Sequence, residues 1–148
     1  MSLLHTLAWY RRHHLEHPDL ALWPRTTAVT GDDVTVTGES LTGLARAVGT
    51  PCTRVFEAAA HSWAAATGER HCAVVVTTVE AVTVAAGGDG YDVWVDAELD
   101  GCDPFESTFR LIGRPSTAPE ALFVARPSRR YGDIQCALPA DLRAGDLR

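Results

Sequence analysis

The order of apolar and polar positions divides the chain into a helical first part and a β-rich remainder. Residues 2–17 bring Leu4, Leu7, Ala8, Arg11 and Leu15 near one helical face, with Ser2 placed to cap the start and Pro18 to stop it. Residues 20–24 form an apolar extended piece. Residues 26–37 alternate threonine and valine around Gly31-Asp32-Asp33, which predicts a β-hairpin turning there. Ser40 opens a second helix, whose stripe of Leu41, Leu44, Ala45 and Val48 ends at Gly49. Thr50-Pro51 breaks direction, and the alanine-rich residues 56–67 predict a third helix closing at Gly68.

From His71 the period changes. Residues 71–85 are a long β-branched run, and Gly87-Gly88-Asp89-Gly90 reads as a hairpin turn. Residues 91–99 alternate, with Asp92, Trp94, Asp96 and Glu98 on one side and Val93, Val95, Ala97 and Leu99 on the other. Residues 108–112 and 122–125 are further short strands; residues 132–138 are another, limited by Pro139. Grouped helices followed by grouped strands predict a mostly β, α+β fold. We read residues 1–148 as one domain: a helix over 1–19, a hairpin and helices over 20–70, and an antiparallel meander over 71–148.

Composition narrows the partners. The net charge of −6 disfavours nucleic acid and anionic membrane surfaces. The sequence holds no lysine, which excludes a Schiff base formed on this chain. The apolar residues 3–10 have arginines after them instead of before, the wrong order for a secretory signal, and are too few to span a bilayer. The cysteines at 52, 72, 102 and 136 form no CxxC pair and read as reduced thiols of a cytoplasmic protein.

Three features carry candidate chemistry. His13 and His17 share a helical face near Glu16, but without an HExxH order they read as a solvated face, and no metal site is expected. Asp92, Asp96 and Glu98 with Trp94 either line a lumen opposite Arg110 or form the solvent face of a half-buried strand; their apolar mates favour the second. The loop from Arg126 to Asp133 sets Arg129, Arg130, Tyr131 and Asp133 between Pro127 and Gly132, a composition suited to a carboxylate or phosphate.

Separate motifs resemble the fold-type III pyridoxal-phosphate decarboxylases, the diaminopimelate, ornithine and arginine decarboxylase family. They are Gly38-Glu-Ser-Leu-Thr-Gly-Leu-Ala-Arg-Ala-Val-Gly-Thr-Pro51, Val93-Trp-Val-Asp-Ala97, and Gly132-Asp133 with Leu138-Pro-Ala-Asp-Leu-Arg-Ala-Gly-Asp-Leu147. In that family the chain starts in a β-domain, leaves it to build a (β/α)8 barrel of about 250 residues, and returns to finish the sheet domain. Here only Glu69 and Arg70 separate the two halves, so the resemblance implies the sheet domain without the catalytic barrel. The cofactor lysine and phosphate site belong to the barrel, so no cofactor is expected. The family's Pro-x-Cys-x-Ser-x-Asp loop is altered: Arg129 stands at the cysteine, Tyr131 at the serine, and Asp133 matches. Glu98 replaces a position that is usually glycine.

The resemblance implies a small antiparallel β-barrel with packed helices, like the alanine racemase and decarboxylase C-terminal sheet domain. The expected function is a cofactor-independent enzyme or ligand-binding protein for a carboxylated small molecule in specialised metabolism. Asp133, Arg129, Tyr131 and Glu98 would supply the acid–base chemistry of a cyclisation, isomerisation or decarboxylation. Arg130, Arg110, Asp96 and Trp94 would bind the substrate. The alternative is a non-catalytic partner that pairs with itself as a homodimer or with a full-length decarboxylase.

Overall fold

The computed structural model describes residues 23–24, 26–57, 71–100, 104–127 and 134–148. The helix expected over residues 2–17, with His13 and His17, and residues 128–133 of the arginine loop lie outside them.

The threonine–valine alternation folds as a hairpin. β1 (Thr27–Val29) and β2 (Val34–Val36) pair antiparallel, and β3 (Glu39–Ser40) lies on the other edge of β2. Thr30 N–H donates to Asp33 O at 2.9 Å across the turn. The Asp33 carboxylate then ties the turn to the helix that follows. It accepts from the Ser40 hydroxyl, from Val34 N–H at 2.9 Å and from Thr42 N–H at 3.0 Å. Ser40 caps α1 (Leu41–Val48) by accepting from Gly43 N–H at 2.9 Å, which satisfies one of the free donors of the first turn. The helix buries Leu41, Leu44 and Ala45 and ends at Gly49.

β4 (Cys52–Glu57) and β5 (His71–Val76) form a two-stranded antiparallel ladder from Cys52↔Val76 to Glu57↔His71. This corrects the expected start of a helix at Phe56. The β-branched Thr53 and Val55 find a valine-rich partner distant in sequence, and that pairing outweighs the helical preference of the alanines beyond. Residues 58–70 lie outside the described residues.

The run expected as one strand over 71–85 is two strands. It breaks at Thr77 and Thr78. Thr78 N–H donates to Asp96 Oδ1 at 2.8 Å, and the Thr50 hydroxyl joins both the Thr78 hydroxyl and Asp96 Oδ2. β6 (Val79–Val84) then pairs antiparallel with β7 (Tyr91–Val95) across the glycine-rich turn. β8 (Glu120–Arg126) and β9 (Gln135–Pro139) complete a four-stranded sheet in the order β6-β7-β8-β9.

β8 runs parallel to β7, so the expected antiparallel meander is corrected to a mixed sheet. Residues 96–119 make the crossover that a parallel pair requires. Inside it the strand expected at 108–112 shrinks to a single bridge between Ile112 and Leu147, after a 3-10 turn at Glu106–Thr108. Gly90 (φ 105°) enters β7 so close to β8 that an added Cβ would lie 3.3 Å from Leu122 O.

The fold is mostly β, but none of the three sheets closes into a barrel. The early hairpin docks by its face instead of joining a ladder. Val34 and Val36 pack with Trp23, Leu41, Val76 and Ile112 in one apolar cluster. A second cluster gathers Val79, Val93, Val95, Phe123, Ile134 and Leu138 on the four-stranded sheet. Period-two alternation dictates which face is buried but leaves open which edge is paired.

Residues 146–148 stitch the clusters together. Val79 N–H donates to Asp146 O, Ile112 N–H to Leu147 O, and Thr77 and Arg148 exchange both backbone hydrogen bonds, at 2.8–2.9 Å. Arg114 fixes this segment. Its guanidinium grips Asp146 with two hydrogen bonds of 2.7 Å and also reaches Asp141 at 3.1 Å. Asp146 is buried, and its carboxylate accepts from Arg143 N–H as well.

Removing one partner of a buried pair strands the other charge. Arg114→Ala is therefore expected to cost about 3 kcal/mol or more, measured by urea denaturation. Acid acts elsewhere. Burial pushes the Asp33 carboxyl up, but the hydrogen bonds from Ser40, Thr42 and Val34 outweigh burial and hold it below its ordinary value of 3.8. Its ionised form thus contributes stability that is complete above the unfolded value and lost as pH falls through the lowered folded value. Below about pH 4 the urea midpoint of the native chain should fall more steeply than that of Asp33→Asn.

Candidate ligand-binding cleft

A cleft of about 460 Å³ lies between the two apolar clusters. Its size suits a small organic ligand or a short segment of chain. Trp23, Leu41 and Ile112 wall one side, while Leu99, Phe105 and Phe109 wall the other. β5 runs along it, contributing Cys72 through Val76 in unbroken succession, followed by Thr77.

Arg148 is the charged group of this apolar cleft that lacks a matching charge. Its backbone is held by Thr77, and its side chain crosses toward the four-stranded sheet. The guanidinium carbon sits 4.2 Å from the centroid of the Phe109 ring. The Cys136 sulfur lies near it, and the Cys136 thiol itself donates to Phe123 O at 3.7 Å. Arg148 is 9 % exposed, yet no carboxylate among the described residues lies within ion-pair distance, and its Nη1 has no hydrogen-bond partner. Burial pushes its pKa down, with Cys136 opposing; arginine nonetheless keeps its charge at all physiological pH values. A buried guanidinium with one unmet donor has the chemistry to receive an anion.

A second unmet donor lies on the same cleft. Trp23 is buried and its indole Nε1–H has no acceptor. Buried donors are normally satisfied; here two residues that line the cleft, Trp23 and Arg148, each carry one that is not. Arg110 also lines the cleft and donates to Thr30 O at 3.2 Å. Burial pushes Arg110 down in pKa, and Glu120 opposes that shift. No Asp, Glu or His among the described residues lines the cleft. Burial pushes the Cys72 thiol up, which keeps it protonated and a poor nucleophile.

Of the residues singled out in the sequence, Arg110 is on the cleft. Asp96 is elsewhere: its carboxylate locks Thr78 N–H and Thr50, joining three segments of backbone. Trp94 is exposed on the sheet, where its Nε1 donates to Thr83 Oγ1 at 3.2 Å, and Glu98 is exposed beyond the end of β7. Asp92 pairs with Arg126 at 3.4 Å. No sheet closes into a barrel, so these residues line no lumen; Trp94 and Glu98 are exposed, while Asp92 and Asp96 are half-buried. Arg129, Arg130, Tyr131 and Asp133 lie outside the described residues. No group of three or more His, Cys, Asp or Glu among the described residues could hold a metal ion, and no described helix is long and apolar enough to cross a membrane.

Sequence reasoning missed Arg148, Trp23 and the flank of β5. Trp23 had a faint signal in the apolar piece before Pro24. Arg148 had none, because only the docking of residues 146–148 places its guanidinium on the cavity.

Comparison with protein-family models, with curated proteins and with solved structures finds no match for this chain. The likeness to the decarboxylase sheet domain thus stands on the sequence motifs alone.

An unpaired buried charge burdens the fold that carries it. Replacing it with an apolar side chain of similar length, Arg148→Met, is expected to raise stability by about 1 kcal/mol or more in urea denaturation.

Proposed function

We propose that this chain is a binding protein for a carboxylated small molecule with an apolar body. The observation that carries the reading is the buried Arg148 guanidinium, unpaired among the described residues, on a cleft otherwise walled by aliphatic and aromatic side chains. A carboxylate would supply the missing counter-charge and accept from the free Nη1, and the apolar body would cover Leu41, Leu99 and Phe105. Arg110 adds positive potential beside the cleft.

Binding is favoured over acid–base catalysis because the described lining offers neither a carboxylate nor an imidazole to move a proton. Of the residues given acid–base roles, Glu98 does not line the cleft, and Asp133, Arg129 and Tyr131 lie outside the described residues. The reading agrees with the carboxylated substrate that the decarboxylase resemblance implies, and with a cytoplasmic setting in which the thiols of Cys52, Cys72 and Cys136 stay reduced.

Calorimetric titration with decanoate, decanol and decylamine tests it. Decanoate is expected to bind at least about tenfold more tightly than decanol, with decylamine weakest. Arg148→Gln, checked for folding by circular dichroism, should erase the difference between acid and alcohol. Equal affinity for all three in the native chain would refute the charge recognition.

A further inference from the structure

The cleft touches β5 in a telling way. Cys72, Ala73, Val74, Val75, Val76 and Thr77 all line it, without a gap. Side chains of a strand alternate between faces, so a cavity lying on one face meets every second residue. Lining by five consecutive residues of β5 and by Thr77 after it, where one face would give alternate residues, fits a cavity that reaches the strand's backbone along its edge. Among the described residues β5 is hydrogen-bonded on one side only, to β4.

The donors and acceptors of that edge can be assigned by alternation. Thr77 turns both its N–H and its C=O to Arg148, at 2.8 and 2.9 Å. Amide groups two residues apart point the same way. Val75 and Ala73 thus direct their N–H and C=O groups to the edge on which residues 146–148 already sit, and the cleft continues that line. Free strand edges of this kind are templates for an added strand.

On this basis we propose that the ligand of the cleft is a peptide segment in extended conformation, added as a strand to the edge of β5 that is unpaired among the described residues, with its terminal carboxylate on Arg148. The proposal rests on the carboxylate reading above and narrows it to a backbone-bearing ligand. Arg148 lies at the Thr77 end of β5, so a terminal carboxylate that reaches its guanidinium sets the peptide parallel to β5. Hydrogen bonds to Val75 and Ala73 give affinity, and alternate apolar side chains face the walls of Trp23 and Phe109. The unmet Trp23 indole N–H is available to a peptide carbonyl.

The test uses the full chain and acetylated hexapeptides of the pattern Ser-Val-Thr-Val-Ser-X, with X as Val, Leu or Phe. Each is made as the free acid, as the C-terminal amide, and as a free acid N-methylated at alternate residues in both possible phases. Binding is read by calorimetry beside decanoate. At least one free acid is expected to bind more tightly than decanoate. Amidation should weaken it by about tenfold or more, and one phase of N-methylation by a similar factor while the other phase has little effect. Arg148→Gln should remove the amide penalty and leave the methylation penalty intact. If decanoate binds and no free-acid peptide does, or if both N-methyl phases bind as well as the parent, strand addition is overturned and the carboxylate site survives. If neither decanoate nor any peptide binds, both readings fall.

Discussion

Residues 146–148 are the structural hinge on which the rest depends. This short segment lies between the break in the long β-branched run and the Ile112 bridge, and it donates or accepts main-chain hydrogen bonds with both. Besides this segment, the described residues join the early hairpin to the β7–β8 crossover by the Gly113 N–H to Asp32 O hydrogen bond and by side-chain packing. The Arg114 fork on Asp146 holds the segment in place, and its charge-assisted geometry resists sliding in a way that apolar packing alone does not. Aspartate 96 plays a matching part on the other side, tying Thr78 to Thr50 where the strand run breaks.

That stitching explains the cleft. Two apolar clusters joined along a line, and not fused into one barrel core, leave space between them. Trp23 and Ile112 belong to one cluster, while Phe109 packs against the other. The same segment that joins them carries Arg148 into the gap. The stability device and the candidate anion site are therefore one piece of chain. Asp146 faces its arginine and is satisfied, whereas Arg148, two residues on, is buried with its charge unanswered among the described residues. Natural folds tolerate such an imbalance where a ligand restores it.

The decarboxylase resemblance and the observed architecture share a mostly β character and part ways in detail. The motif at Gly38–Pro51 spans the end of the hairpin sheet and α1, and the closing Leu138–Leu147 motif contains Asp141 and Asp146, both partners of Arg114. Their roles here are structural, in capping and in clamping. The open sheets and the parallel β7–β8 pair are features of this chain's own packing.

Local signals in the sequence were enough for the elements that depend on neighbours in the chain. The hairpin turn at Asp32-Asp33, the Ser40 cap, the Gly49 stop, the glycine turn before Tyr91 and the alternation that buries Val93, Val95, Ala97 and Leu99 are all short-range effects of backbone freedom, capping and period. What required the folded chain was edge pairing. Nothing near Phe56 announces that the valines of β5 will claim it, and no local pattern says that β8 will lie parallel to β7. The cleft follows the same rule. Arg110 could be suspected from its charge, but Arg148 became a candidate only through the burial of its guanidinium beside Phe109 without a carboxylate of the described residues in ion-pair reach. Charge and periodicity are written residue by residue; desolvation and the absence of a partner exist only once distant segments have come together.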